Sequence, residues 1–288
     1  MKRVPRRTEA ALRNGWALTL AGFLLLATPV LAADPPTPQS LRTPGKGAPD
    51  PIGSYANGCI RGAVELPTEG AGYQVMNLSR RRNWGHPDLL AYLHDLTSKA
   101  SAEKLGRLAI GDLGMVRGGR MPTGHASHQM GLDADIWFVL DLPELPAPER
   151  EREDFASMVN AKAQRVDPSR FGPAQARLLQ LAAEDTRVSR IFVNPAIKLA
   201  LCQQTTGDRA WLAKLRPWFG HAAHFHVRLS CPAGAGQCEG QQPPPPGDGC
   251  GAELMSWFEP PPPSPKPPAP PKAPPPPPAA CLALYAEP

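Results

Sequence analysis

Nineteen of the chain's 38 prolines fall between Pro243 and Pro288. Proline fixes φ and lacks an N–H, so such a stretch cannot build the interior of a helix or a sheet. The tail therefore differs in composition from the body that precedes it. The tail reads as a polyproline-like strut, broken by one segment able to pack, GDGCGAELMSWFE. The rest can supply a core, since 42% of the 288 residues are apolar and 20% are charged. No stretch after residue 33 reaches the roughly 18 apolar residues of a membrane span.

The chain begins with a third composition. Lys2, Arg3, Arg6, Arg7 and Arg13 precede or enter an apolar run that extends from Trp16 to Leu31. The run closes on Val30-Leu31-Ala32, small residues suited to cleavage, so residues 1–32 read as a secretory signal. That leader carries five basic residues and one acidic, Glu9; without it the net charge falls from +5 to +1. A basic nucleic-acid footprint is not expected. The run Arg80-Arg81-Arg82 reads as a solvated face or a contact for an acidic group. The cysteines are Cys59, Cys202, Cys231, Cys238, Cys250 and Cys281. An even number in an exported chain points to three disulfides, and no CxxC pair marks a thiolate zinc site. Spacing alone does not choose the pairing.

Leucine spacing predicts a helix over 88–105, with Leu89, Leu90, Leu93, Leu96 and Leu105 on one side. A short strand is expected over 108–116 and a glycine-rich loop over 117–124. A strand over 132–140 puts Asp133, Asp135 and Trp137 on one face. A helix over 173–185, a strand over 188–193, short helices over 197–203 and 209–215, and an alternating strand over 224–229 follow. Ser101 and Lys104 match an SxxK pattern, but no KTG follows and the match reads as coincidence.

Five of the seven histidines fall in two segments, GHASHQMGLDAD and GHAAHFH. His86 and His94 lie apart from them, and His94 reads as packing or surface. Residues i and i+2 of a strand share a face, so His224 and His226 can enter one cavity. A turn at Gly131 can bring His128 over the strand carboxylate Asp135. Such a His-Asp-His set suits zinc, which in catalytic sites takes three protein ligands and a water. The same donors also suit iron or copper.

The segments GYQVMNLSRRRNWGHPDLL, GGRMPTGHASHQMGLDADIWF, RIFVNPAIK and RPWFGHAAHFHVRLSCP resemble the penicillin-insensitive murein endopeptidases. These sit among the zinc metallopeptidases that include lysostaphin, D-Ala-D-Ala carboxypeptidases and the sonic hedgehog signalling domain. The resemblance covers most of the chain after the leader, all six cysteines included. It implies that His128, Asp135 and His226 hold zinc, with His125 a further ligand or a supporting group. His224 would move protons; His221 would orient His224 or, if cationic, stabilise an oxyanion. Asp133 is the runner-up ligand, and orienting an imidazole suits it better. Some relatives have another metal site built from an Asp and a His after the strand. The stretch 160–166, NAKAQRV, lacks both, so that site is not carried over.

The resemblance further implies disulfides Cys59–Cys281, Cys202–Cys250 and Cys231–Cys238. It implies hydrolysis of the D-alanyl–meso-diaminopimelyl amide that cross-links peptidoglycan, in the periplasm, with no protein nucleophile for penicillin to acylate. Peptidoglycan is the expected partner, nucleic acid is not, and a homodimer is hinted at. A D,D-carboxypeptidase of the same architecture is one alternative; a non-catalytic metal- or peptidoglycan-binding module is another. The expected fold is α+β: a small antiparallel sheet carrying the zinc site, flanking helices, disulfide-stapled loops and a Pro-rich tail. The expected division is a leader (1–32), a metallopeptidase domain (33–242) and a tail tied back by disulfides (243–288).

Overall fold

Alternation in HFHVRL sets the centre of the molecule: Phe225, Val227 and Leu229 turn into a core, while His224 and His226 turn the other way into a cleft. The computed structural model describes residues 36–140, 142–151, 155–260 and 273–288. The leader reading, and the proline run at 261–272, lie outside the described residues. Seven strands form the main sheet: β1 (Glu69–Gly70), β2 (Tyr73–Val75), β3 (Leu108–Ile110), β4 (Asp133–Trp137), β5 (Val188–Val193), β6 (Leu215–Pro217) and β7 (His224–Leu229). Their spatial order is β6-β5-β7-β4-β3-β2-β1.

The α+β expectation holds, and the strands carrying the site are antiparallel to one another. β7 lies between β4 and β5, with His226 opposite Asp135 on one side and opposite Phe192 on the other. The sheet as a whole is mixed, because β5–β6 and β2–β3 pair in parallel. Ala134 and Ile136 of β4 join the β7 apolar residues on the core face.

Helices cover that face. α1 (Pro87–Ala102) buries Leu89, Leu90, Leu93 and Leu96, each contributing about 1.5–3 kcal/mol by area. Its start is capped by His86, whose Nδ1 accepts from the Asp88 N–H at 3.1 Å. The helix stops three residues earlier than the leucine spacing predicts. Lys104 enters the left-handed region (φ 57°), and Leu105 packs against the core from beyond the helix. α2 (Pro173–Glu184) and α3 (Pro195–Gln204) fall where expected, and α3 is capped by Asn194 Oδ1 on the Ala196 N–H. The strand expected over 108–116 ends at Ile110. There the Gly111 N–H bonds to Asp135 O, and a Cβ on Gly111 would meet the Asp135 Cβ at 3.1 Å. The 132–140 strand likewise contracts to 133–137, and 209–215 is a short 3₁₀ turn (Ala210–Lys214) running into β6.

All three disulfides form with the pairing the resemblance implied: Cys59–Cys281, Cys202–Cys250 and Cys231–Cys238. The first fastens the C-terminal helix α4 (Ala279–Tyr285) to the Asn57–Arg61 strand, in a small core of Ile52, Leu284 and Tyr285. Arg117 adds a polar tie. Its buried guanidinium donates to Thr43 O, Leu284 O and Glu287 O, each at 2.8 Å. Among the described residues no helix is long and apolar enough to cross a membrane.

Candidate metal centre

The loop between β3 and β4 delivers His128 to the sheet. Gly131 turns at φ 72°, where a Cβ would come within 2.5 Å of Ile60. His128 itself sits at φ 65°, a strained value for a non-glycine residue. It is held there by its N–H, which donates to Asp133 Oδ2 at 3.0 Å. Its Nδ1–H donates to Leu113 O at 2.9 Å, so Nε2 faces the site.

Asp135 and His226 meet across β4 and β7. The His226 Nε2–H donates to Asp133 Oδ1 at 2.8 Å, which leaves Nδ1 turned to Asp135 Oδ1, 3.8 Å away. Burial, with the charge of His128, pushes the His226 pKa down to about 3, keeping the imidazole neutral. Asp133 thus orients two imidazoles at once, and Arg228 Nε donates to its Oδ1 at 2.7 Å. Burial opposes its charge, yet Arg228 and His226 hold its carboxyl well below the usual range. Both Asp133 oxygens are thus occupied by protein donors.

His125 packs beside His128 with the rings tilted at 53° and their centroids 4.3 Å apart, and its Nε2 lies 3.5 Å from Asp135 Oδ2. The same Nε2–H donates to Asp112 Oδ2 at 3.0 Å. Sequence reasoning missed Asp112. It is buried, and Arg82 Nη1 at 2.7 Å and Arg80 Nη1 at 3.2 Å also donate to it. Against the effect of burial, the bonds from His125 and Arg82 hold its carboxyl below the usual range. The arginine run thus meets an acidic group inside the protein. The only available signal was a lone Asp directly after a short apolar strand.

His224 and His221 flank the opposite side. His224 Nε2 is 3.8 Å from Asp135 Oδ1, and its ring meets Trp137 edge to face at 5.1 Å. His221 lies 5.2 Å from His224 between ring centroids. Its loop is pinned by backbone bonds from Asn194 N to His221 O (2.8 Å) and from Phe138 N to Ala223 O (3.0 Å). Its Nδ1–H donates to Phe219 O at 3.2 Å. Burial and the neighbouring His224 push its pKa down to about 4, so the ring is neutral, with its one N–H on Phe219 O and Nε2 left as a hydrogen-bond acceptor and not a positive charge. His125, His221, His224 and His226 line a cleft of about 560 Å³.

The donor set fits a divalent cation. His128 Nε2 and Asp135 Oδ1 are buried and have no hydrogen-bond partner among the described residues, although they lie 3.4 Å apart. Unpaired buried polar atoms are costly and rare. Burial works against a proton on His128, yet the Asp135 carboxylate prevails and raises its pKa to about 9. The pair calls for a positive charge between its members. Ligand atoms of His125, His128 and Asp135 all lie within 4.8 Å of one another, with His226 Nδ1 facing the same carboxylate.

The sequence matches the family described as "Penicillin-insensitive murein endopeptidase" over residues 51–286. Relatives bearing that description are 51% identical in Yersinia enterocolitica (serotype O:8 / biotype 1B) over 243 residues, 84% of this chain and 88% of the relative. In Haemophilus influenzae the identity is 54% over 216 residues, 74% of this chain and 75% of the relative. In Klebsiella pneumoniae (strain 342) it is 49% over 237 residues, 82% of this chain and 86% of the relative.

Proposed function

The chain belongs to the penicillin-insensitive murein endopeptidase family, and from that premise we propose that it is a zinc-dependent hydrolase of the D-alanyl–meso-diaminopimelyl amide that cross-links peptidoglycan, acting in the periplasm after export. One observation carries the metal reading: two buried, unpartnered donor atoms, His128 Nε2 and Asp135 Oδ1, beside His125, His224 and His226, which line a cleft. His128, Asp135 and His226 would hold the ion, with His125 in reach as a further ligand. When bound, zinc supplies a Lewis acid that polarises the scissile carbonyl and acidifies water.

The chain's own residues do the rest. Neutral His224 is placed beside Asp135 to accept the proton of the attacking water and return one to the leaving amine. His221, on a loop fixed on Asn194, keeps Nε2 as an acceptor that can orient His224 or the reacting amide N–H. Asp133 and Asp112 orient the imidazoles of His226 and His125. No protein nucleophile takes part, so penicillin has nothing to acylate. Ser101 and Lys104 are exposed at the end of α1 and beyond it, and do not line the cleft.

The test is the metal content of the purified protein together with digestion of cross-linked dimeric muropeptide. The expected result is about one zinc per chain, conversion of dimer to monomers, loss of both on chelation and recovery with zinc. Release of only terminal D-alanine from monomeric stems would show a D,D-carboxypeptidase instead. Binding to sacculi without release of any fragment would show a binding module.

A further inference from the structure

Two arginines face each other across β5 and β7: Arg190 is the register partner of Arg228. Like charges directly opposite one another destabilise a sheet. Arg228 is compensated, since its Nε donates to Asp133 Oδ1 and its Nη1 to Gln241 Oε1. Arg190 is not. Its Nη2 donates to Gln242 O, and its Nε is buried with no hydrogen-bond partner among the described residues. Burial, then the charges of Arg228 and Arg216, depress its pKa against an opposing effect of Tyr55, and no carboxylate among the described residues forms an ion pair with it. Both Arg190 and Arg228 line the cleft that holds His221, His224 and His226. Arg190 stands two residues along β5 from Phe192, whose ring lies 5.1 Å from that of His226. Residues two apart on a strand share a face, about 7 Å from one another. The cleft therefore carries an unpaid positive charge within one side chain's reach of the metal centre.

We propose that Arg190, flanked by Arg228, binds the free carboxylate on the leaving side of the scissile amide and selects substrates that carry it. The inference rests on the cross-link named above as the substrate. In that linkage the leaving nitrogen and a free carboxylate are borne by the same carbon, so the anion enters the cleft two bonds from the reacting nitrogen. A guanidinium grips a carboxylate through two parallel hydrogen bonds, a fit that a carboxamide cannot match. Arg228 is already committed to Asp133, whereas Arg190, bonded only to the neutral Gln242 carbonyl, has no anionic partner among the described residues.

The experiment titrates zinc-loaded protein with the leaving-side peptide, as its free carboxylate and as the carboxamide, by calorimetry. Wild-type protein is expected to prefer the carboxylate by roughly tenfold to hundredfold. R190Q should abolish that preference and R190K retain part of it, with zinc content and circular dichroism unchanged. On cross-linked dimer, R190Q should raise KM by a similar factor and leave kcat nearly unaltered. Equal affinity of wild-type protein for the two peptides would overturn the proposal without recourse to any variant. If the wild type hydrolyses the dimer yet shows no preference, the carboxylate site falls and the hydrolase stands. If it shows the preference but cuts no cross-link, the hydrolase reading falls and the anion site stands.

Discussion

The backbone N–H of His128 donates to Asp133 Oδ2 at 3.0 Å, so a β-strand carboxylate locks the left-handed turn that aims the imidazole. The other oxygen of the same carboxylate orients His226. One residue that need not touch the metal thus fixes two of the proposed ligands. Asp133→Asn preserves the shape and removes the charge that both contacts use. Zinc affinity should fall by about 10–100-fold while the fold persists, read by competition with a chromophoric chelator alongside circular dichroism. Unchanged affinity would show that the turn and the imidazole are held by other means.

Protons and metal should compete for His128. Asp135 raises its pKa to about 9, so at neutral pH the metal-free protein holds a proton that the ion must displace. A raised pKa places the competition below pH 9, and metal binding strengthens as pH rises. Between pH 6 and 8 the apparent zinc affinity should increase by about tenfold per pH unit. Calorimetry in buffers of different ionisation enthalpy would count the released proton, and a pH-independent affinity would contradict the coupling.

How much of this was legible in the sequence depended on range. Period-two alternation placed His224 and His226 on one face, and the Gly131 turn brought His128 over Asp135, because both signals are local. The leucines of α1 were equally clear, although the left-handed residue at Lys104 that ends the helix carried no strong mark. Asp112 was invisible because its partners come from Arg82, 30 residues upstream, and from His125, 13 residues downstream. Arg190 looked like any charged strand residue until the register set it against Arg228. Pairing register and loop convergence are products of the whole fold, and no short motif encodes them.

The disulfides should differ in weight. Cys59–Cys281 closes a separation of 222 residues and Cys231–Cys238 one of 7. Chain-entropy reasoning gives about 5 kcal/mol for the long loop and about 2 kcal/mol for the short one. Replacing Cys59 and Cys281 with serine should lower Tm more than replacing Cys231 and Cys238, by roughly 6–12 °C at this chain length. Arg117 would still hold the C-terminal helix by its carbonyl bonds, so the tail should loosen without detaching. Thermal melts of the two double variants under oxidising conditions decide the order. Equal shifts would mean that native-state packing, and not loop closure, sets the contribution of each bridge.

In the proposed mechanism His224 separates catalysis from metal binding. Its Nε2 lies 3.8 Å from Asp135 Oδ1, beside the metal donors, while its ring leans on Trp137. Burial is the main cause lowering its pKa from the usual 6.5. A lowered pKa keeps the neutral, proton-accepting form populated further into acid. The acidic limb of kcat/KM should therefore have its midpoint below pH 6.5, and activity should fall only as pH drops through that lowered value. His224→Ala should retain zinc and lower kcat by about 10²–10⁴-fold, the usual worth of a positioned acid–base group. The acidic limb should disappear with it. A variant that keeps zinc, keeps its rate on cross-linked muropeptide and keeps the same pH profile would move the proton-transfer role from His224 to His221 or His125.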